Sequence, residues 1–280
     1  MSSSIELKKQ HRHHGGWVKY FTHPSAATKT AMNFSVFIPD HEPGEKLDTL
    51  IWLSGLTCTE ENFIAKAGYG KKATELRMIL ACPDTSPRGL DLPQEHESYD
   101  FGSGAGFYVN ATTKGYSEHY KMYDYILEFR ELIEKNFQTR STGIFGHSMG
   151  GHGALVLGLR NQNLFKSISA FAPIVAPTQC PWGVKALKGY LGDNKEDWKN
   201  YDATELVQQG KFEGEILISQ GTNDDFLKEQ LKPEIFQKAC PKNVSLKLKM
   251  EEGFDHSYYF ISSFIDEHLE FHSTALKQAR

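Results

Sequence analysis

Apolar residues fall along this chain in two rhythms. Met32, Phe34, Val36 and Ile38 alternate with polar neighbours over Met32 to Pro39, the period of a half-exposed strand, and Trp17 to His23 reads the same way. The two predict an antiparallel edge. Leu47 to Leu53 differs, because Leu50-Ile51-Trp52-Leu53 is apolar at every position, as suits a central strand covered on both faces. Short apolar runs at Met78 to Cys82, Gly143 to Phe145, Phe165 to Phe171 and Glu215 to Gln220 predict further buried strands, and Val244 to Met250 alternates into a last one. Met122, Ile126, Phe129, Ile133 and Phe137 recur every three or four residues, marking an amphipathic helix against the sheet. Ile261, Phe264, Ile265, His268 and Leu269 repeat that rhythm near the end of the chain, and Thr59 to Ala67 reads as a helix with Thr59 as its N-cap. Strand and helix signals alternate without an internal repeat. The layer rules then give a doubly wound, mostly parallel sheet with antiparallel N-terminal edge strands and helices on both faces.

Some stretches carry no such rhythm. Residues 1–15 read as a flexible tail, and their His11-Arg12-His13-His14 lacks the downstream Cys or His partners that a metal site needs. Residues 16–280 read as a single domain, with a small insert around 173–214 placed to overhang a pocket. Pro83 to Gly89 reads as a rigid loop, and Gly102-Ser103-Gly104-Ala105-Gly106 as a flexible surface loop, since it neither follows a strand nor opens a helix.

Composition narrows the function classes. With 280 residues, 39% hydrophobic and 24% charged, the chain has enough apolar material for a large core. A net charge of -4 supplies no basic field for nucleic acid and no polybasic patch for an anionic membrane, so a small-molecule ligand is expected. The opening residues lack an apolar signal core and no stretch reaches the ~20 apolar residues of a membrane span, which predicts a cytoplasmic location. Cys58, Cys82, Cys180 and Cys240 are widely spaced, and free thiols are expected.

The chemistry centres on Gly146-His147-Ser148-Met149-Gly150, where a short buried strand meets a small-residue helix start. In a G-x-S-x-G turn the glycines let the backbone pass tightly from strand to helix, which presents the serine hydroxyl at the strand end. Ser148 is the only serine in the chain with glycine two residues before and two after. A serine hydroxyl needs a base, and the base needs an acid to orient it. Among the downstream histidines, His256 alone follows a predicted strand in a loop; His268 and His272 belong to the terminal helix, and His152 is second choice. For the acid, the loop after Glu215 to Gln220 offers Asp224 at the turn and Asp225 beside it; position favours Asp224 without excluding its neighbour. Asp255 adjoins His256 and would need an awkward backbone to reach the ring. Backbone N–H groups of Met149 and of Leu56, in the loop after Leu53, are the candidate oxyanion donors. Cys58 and Trp182 are candidate pocket residues.

Five segments in order, Leu53 to Thr59, Pro83 to Gly89, Gly146 to Ala154, Gln220 to Asp224 and Asp255 to Ile261, resemble S-formylglutathione hydrolase, the esterase D family, over Gly16 to about His272. The resemblance implies an α/β-hydrolase fold, hydrolysis of S-formylglutathione to glutathione and formate with side activity on short-chain esters, and no metal or organic cofactor. It also implies nucleophile Ser148, acid Asp224 and base His256, and leaves a homodimer open. Asn223 and Asp225 depart from the family pattern around that acid, and neither departure removes a catalytic atom. A general short-chain carboxylesterase and an acyltransferase on the same fold are the alternatives.

Overall fold

In the computed structural model, which describes residues 4–279, nine strands form one sheet. The strands are β1 (Glu6–His13), β2 (Gly16–Pro24), β3 (Ala31–Pro39), β4 (Leu47–Leu53), β5 (Met78–Pro83), β6 (Thr139–His147), β7 (Ile168–Phe171), β8 (Glu215–Gly221) and β9 (Ser245–Glu251). Their order is β1-β2-β3-β5-β4-β6-β7-β8-β9. Strands β5, β4, β6, β7, β8 and β9 are parallel neighbours, while β1, β2 and β3 join through antiparallel pairings ending at β5. All seven residues of β4 are buried, because the strand lies mid-sheet with helices on both faces.

The helices are α1 (Glu61–Lys66), α2 (Gly70–Leu76), α3 (Met122–Asn136), α4 (Met149–Arg160), α5 (Pro181–Leu191), α6 (Lys195–Lys199), α7 (Ala203–Val207), α8 (Pro233–Ala239) and α9 (Tyr258–Gln278). Strand alternation sorts most of them by face. Trp52 stacks on Phe63 of α1 at 4.1 Å and Phe171 stacks on His268 of α9 at 3.7 Å, so α1 and α9 cover one face. The intervening residues point the other way: Leu53 approaches Gly153 of α4, and Ile144 and Ile168 approach Gly158 of α4. Phe129 of α3 meets Phe34 of β3 on that second face.

Two expectations are corrected here. Glu6 to His13, read as tail, pair with β2 as an edge strand, although Glu6 to Arg12 are all exposed. Apolar alternation is missing because side chains on both faces of this edge stay in solvent, and lysines on it discourage pairing with another chain. Cross-strand contacts replace a core: Lys9 sits 4.2 Å from the Tyr20 ring and bonds Glu61 at 2.6 Å, and Arg12 pairs with Asp40. Residues 1–3, also assigned to that tail, lie outside the described residues. The second correction concerns Gly102 to Gly106, which is packed inside the protein rather than on its surface; only Ser103 is half-buried. Its glycines allow that, since a Cβ on Gly102 would lie 2.2 Å from Glu95 O.

Smaller differences follow from local chemistry. α1 starts at Glu61, because Thr59 Oγ1 accepts from Glu61 N at 3.2 Å while Asn62 Oδ1 accepts from Thr59 N at 2.8 Å, closing a turn ahead of the helix. β7 begins at Ile168. The insert carries α5, α6 and α7. Among the described residues no helix is long and apolar enough to cross a membrane, and no group of three or more His, Cys, Asp or Glu side chains is arranged to hold a metal.

Candidate active site

The chain passes from β4 to β5 on one side of the sheet and from β4's other neighbour, β6, onward to the opposite side. The carboxyl ends of β4 and β6 are therefore the switch point, where loops diverge and leave a crevice. Leu53 and Gly146 are register partners there, so the loop after β4 and the turn after β6 lie side by side. That turn places Ser148 at φ 58 and ψ -118, between β6 and α4. A positive φ is uncommon for serine, and packing holds it: Ser148 N donates to Phe171 O at 3.0 Å, while Ser148 O accepts from His152 N at 3.0 Å. The flanking glycines are sterically required. A Cβ on Gly146 would lie 2.4 Å from Gly150 O, and one on Gly150 would lie 1.9 Å from Leu53 O. Met149 opens α4, so the positive end of that helix faces the serine.

Asp224 follows β8 and is buried, at 6% exposure. Its Oδ1 accepts from Phe226 N at 2.9 Å, and its Oδ2 accepts from Gln220 Nε2 at 3.3 Å and from His256 Nδ1 at 2.6 Å. A proton on Nδ1 leaves the Nε2 lone pair free. His256 and Ser148 both line a cavity of about 270 Å³. Asp225 is exposed and takes no part in this network. Asp255 instead holds Ser257, the N-cap of α9: its Oδ1 accepts from Ser257 N at 3.0 Å and Ser257 Oγ at 2.6 Å, and these bonds hold its carboxyl below the ordinary value.

Leu56 and Cys58 line the cavity from the β4 loop, and Trp182 lines it from α5. Neither Leu56 N nor Met149 N donates to another acceptor among the described residues. Burial pushes the Cys58 thiol above its ordinary value, against the pull of the Lys66 ammonium. Trp182 packs on Phe226 at 4.7 Å and donates from Nε1 to Tyr99 Oη at 3.1 Å. A wider depression of about 980 Å³ lies near the amino ends of β8 and β9, and no serine, cysteine or histidine lines it. Size therefore does not locate the chemistry.

The remaining histidines are set apart by their surroundings. His152 Nε2 meets Phe107 O at 3.0 Å, away from the cavity, and burial pushes its pKa down to about 4. His268 and His272 are buried among Ser167, Ser169 and Ser219, with contacts of 2.6 to 3.1 Å. Sequence reasoning missed His147, whose ring lies 4.3 Å from that of His256; burial, then the charge of His256, lowers its pKa well below the usual range. It also missed Tyr99, Phe226 and Tyr258 as cavity walls. Tyr258 follows the candidate base by two residues, the one hint in the chain that it belongs here.

Comparison with known proteins agrees with this geometry. The Esterase family profile matches residues 25–271. An S-formylglutathione hydrolase from Agrobacterium tumefaciens is 44% identical, covers 96% of this chain and 99% of its own, and superposes with a TM-score of 0.94. Two more distant structures share the fold: the S-formylglutathione hydrolase FrmB from Staphylococcus aureus (17% identity, 97% of this chain and 100% of its own, TM-score 0.71) and a ferulic acid esterase from Anaeromyces mucronatus (22% identity, 95% and 93%, TM-score 0.64). With an α/β-hydrolase sheet, a serine elbow at its switch point and a relative this similar over nearly its full length, the chain belongs to the S-formylglutathione hydrolase group of the Esterase family.

Proposed function

We propose that this protein is a serine thioesterase that hydrolyses S-formylglutathione to glutathione and formate, with Ser148, His256 and Asp224 as its triad. The observation that carries the reading is the 2.6 Å contact between His256 Nδ1 and Asp224 Oδ2, in a cavity that Ser148 also lines. The substrate follows from the Agrobacterium relative, an S-formylglutathione hydrolase at 44% identity.

Ser148 Oγ attacks the formyl carbonyl while His256 Nε2 takes its proton, and the Asp224 carboxylate fixes the ring and stabilises the imidazolium. Oxygen charge develops between the N–H groups of Leu56 and Met149. A thiolate leaves more readily than an alkoxide, so collapse to the formyl-enzyme depends less on proton donation than for an oxygen ester; the departing sulfur takes the His256 proton as it leaves, giving the glutathione thiol and returning the imidazole to its neutral form. Water, deprotonated by His256, then attacks the formyl-serine ester, and formate departs as the proton returns to Ser148. Trp182, Phe226 and Tyr258 bound a cavity of about 270 Å³, a space suited to a small acyl group.

The test compares kcat/KM for S-formylglutathione with that for p-nitrophenyl acetate. The proposal expects the thioester to exceed the ester at least tenfold. An ester preferred over the thioester would make the protein a general carboxylesterase, and transfer of the acyl group to an added alcohol in preference to water would make it a transferase.

A further inference from the structure

An ion pair between a buried carboxylate and a half-buried arginine, outside the triad, bears on the same reaction. Asp84, the first residue after β5, is 2% exposed. Its carboxylate accepts from Arg88 Nη2 at 2.6 Å and from Thr85 N at 2.7 Å on Oδ1, and from Arg88 Nε at 3.1 Å on Oδ2. The same Nη2 donates to Cys58 O at 3.0 Å, and Thr85 Oγ1 donates to that oxygen at 2.6 Å. Two donors from the β5 loop thus converge on one carbonyl of the β4 loop. A second attachment lies one residue earlier. Thr57 N donates to Gly104 O at 2.9 Å, and Gly104 N is itself held by Ser86 Oγ at 2.8 Å.

The segment held this way is a strained turn. Cys58 N bonds Gly55 O at 3.3 Å, closing a four-residue turn with Leu56 and Thr57 at its centre, and Thr57 sits at φ 66. That position of a type II turn favours glycine, and a β-branched residue enters it only where the surroundings over-determine it. Released, the turn would relax and rotate its peptide planes. One of those planes carries Leu56 N–H, beside Ser148 in the cavity wall.

We infer that Arg88, with Thr85, is a positioning residue for the oxyanion site: by fixing Cys58 O it holds the Leu56 peptide in the orientation the developing charge requires. Neither side chain lines the cavity, so neither touches substrate. The guanidinium suits the task because its planar fork serves the Asp84 carboxylate through Nε and Nη2 and keeps an Nη2 proton for Cys58 O, while Nη1 reaches Ser103 Oγ at 3.3 Å. Lysine, a point donor, cannot reproduce that spread.

The inference rests on Leu56 N–H as an oxyanion donor, and the experiment separates the two claims. Arg88→Met, Arg88→Lys and Thr85→Val are compared with the parent by kcat and KM on p-nitrophenyl acetate and by the inhibition constant of an aryl trifluoromethyl ketone. Ser148 Oγ adds to the ketone carbon, the serine proton passes to His256, and the ketone oxygen becomes the oxyanion. Removing a whole oxyanion donor costs about 10²- to 10³-fold in kcat. Misorienting one is expected to cost about 10- to 100-fold in Arg88→Met, with KM within about threefold of the parent and the ketone weakened by a similar factor. Arg88→Lys should fall between, and Thr85→Val, which leaves the Asp84–Arg88 pair in place, should lose about three- to tenfold in both readouts. A folded Arg88→Met that keeps kcat within threefold, or that loses kcat while ketone affinity stands, overturns the inference. If Arg88→Met does not fold, Thr85→Val decides, and values within twofold of the parent overturn it. A parent that the ketone fails to inhibit overturns the nucleophile assignment and this inference with it.

Discussion

Asparagine at position 224 should disable the enzyme without unfolding it, because the surrounding hydrogen bonds dictate which way the new amide points. Phe226 N–H donates to Oδ1 at 2.9 Å, so the amide NH₂ cannot occupy that side without setting two donors against each other. Its oxygen must stay there, and the NH₂ must face His256 Nδ1, where a carboxylate oxygen now accepts at 2.6 Å. The imidazole then has to accept on Nδ1 and carry its proton on Nε2, the tautomer that cannot take a proton from Ser148. Gln220 meets the new amide at some cost. Its Nε2 donates to Asp224 Oδ2 at 3.3 Å and to Gly221 O at 3.1 Å while its own Oε1 is buried without a partner, so a flip of the Gln220 amide turns an acceptor toward the new NH₂ and gives up the bond to Gly221 O. Stability should therefore fall by about 1 to 3 kcal/mol, less than unfolding requires. Loss of the correct tautomer in a serine triad costs about 10⁴-fold in kcat, or roughly 5.5 kcal/mol of barrier. The assay is kcat/KM on S-formylglutathione and p-nitrophenyl acetate for Asp224→Asn and Asp225→Asn, with the imidazole tautomer read from ¹⁵N chemical shifts. Asp225, exposed and outside the network, should give a variant within about threefold of the parent. An Asp224→Asn enzyme within tenfold of the parent, or a larger loss at Asp225, would refute the reasoning.

Two further outcomes follow from other parts of the structure. Trp182→Ala should raise kcat/KM for p-nitrophenyl butyrate relative to acetate: two added methylenes can gain about 1.6 kcal/mol, or roughly 15-fold, once the wall is removed, and an unchanged acyl-length profile would take Trp182 out of the acyl pocket. Acid should destabilise the fold from about pH 6.5 downward, because His147, His152, His268 and His272 are all depressed below 6.5 by burial: the unfolded chain binds protons that the native state refuses, so this stabilisation is complete above 6.5 and is lost as pH falls. Thermal unfolding between pH 7 and 5 should show that decline, and His272→Gln should remove up to one proton from it, about 1.4 kcal/mol per pH unit; a flat profile in the parent would contradict the burial of these rings.

The parts of this fold legible in the sequence are those in which burial alone decides the residue. β4 reads as a central strand because both its faces must be apolar, and α3 because one of its faces must be. Ser148 stands out because no side chain fits at Gly146 or Gly150. What stayed hidden depends on pairings between distant segments. β1 carries no hydrophobic signal because it is held by backbone bonds to β2 and by surface pairs such as Lys9 with Glu61. Ser167 and Ser169 are polar at alternate positions of a buried stretch, which looks like a weakened strand until His268 and His272, four apart on α9, turn toward them. Gly102 to Gly106 reads as mobile for the same reason. Glycines permit flexibility and close packing alike, and the approaches of Gly102 to Glu95 and of Gly104 to Thr57 decide between them.

That last contact joins the two questions of fold and chemistry. The candidate nucleophile and its glycines are short-range features, readable from five consecutive residues, whereas the proposed oxyanion site combines one donor that the same elbow supplies with another that it cannot. Met149 N–H comes with the elbow, since any chain that makes the turn places that group at the first turn of α4. Leu56 N–H has no such guarantee. It belongs to a loop whose strained turn is stabilised from β5's side of the switch point, by Thr85, Arg88 and Gly104, which lie 27 to 47 positions beyond the residues they hold. A homologous chain that kept the elbow but lost the Asp84-Thr85 and Arg88 contacts would retain a nucleophile and its base with half of the charge-stabilising machinery out of register. Under the proposed mechanism, the G-x-S-x-G elbow marks where acyl transfer begins, and the irregular segment between β5 and α3, the least patterned part of the sequence, sets how well the transition state is held.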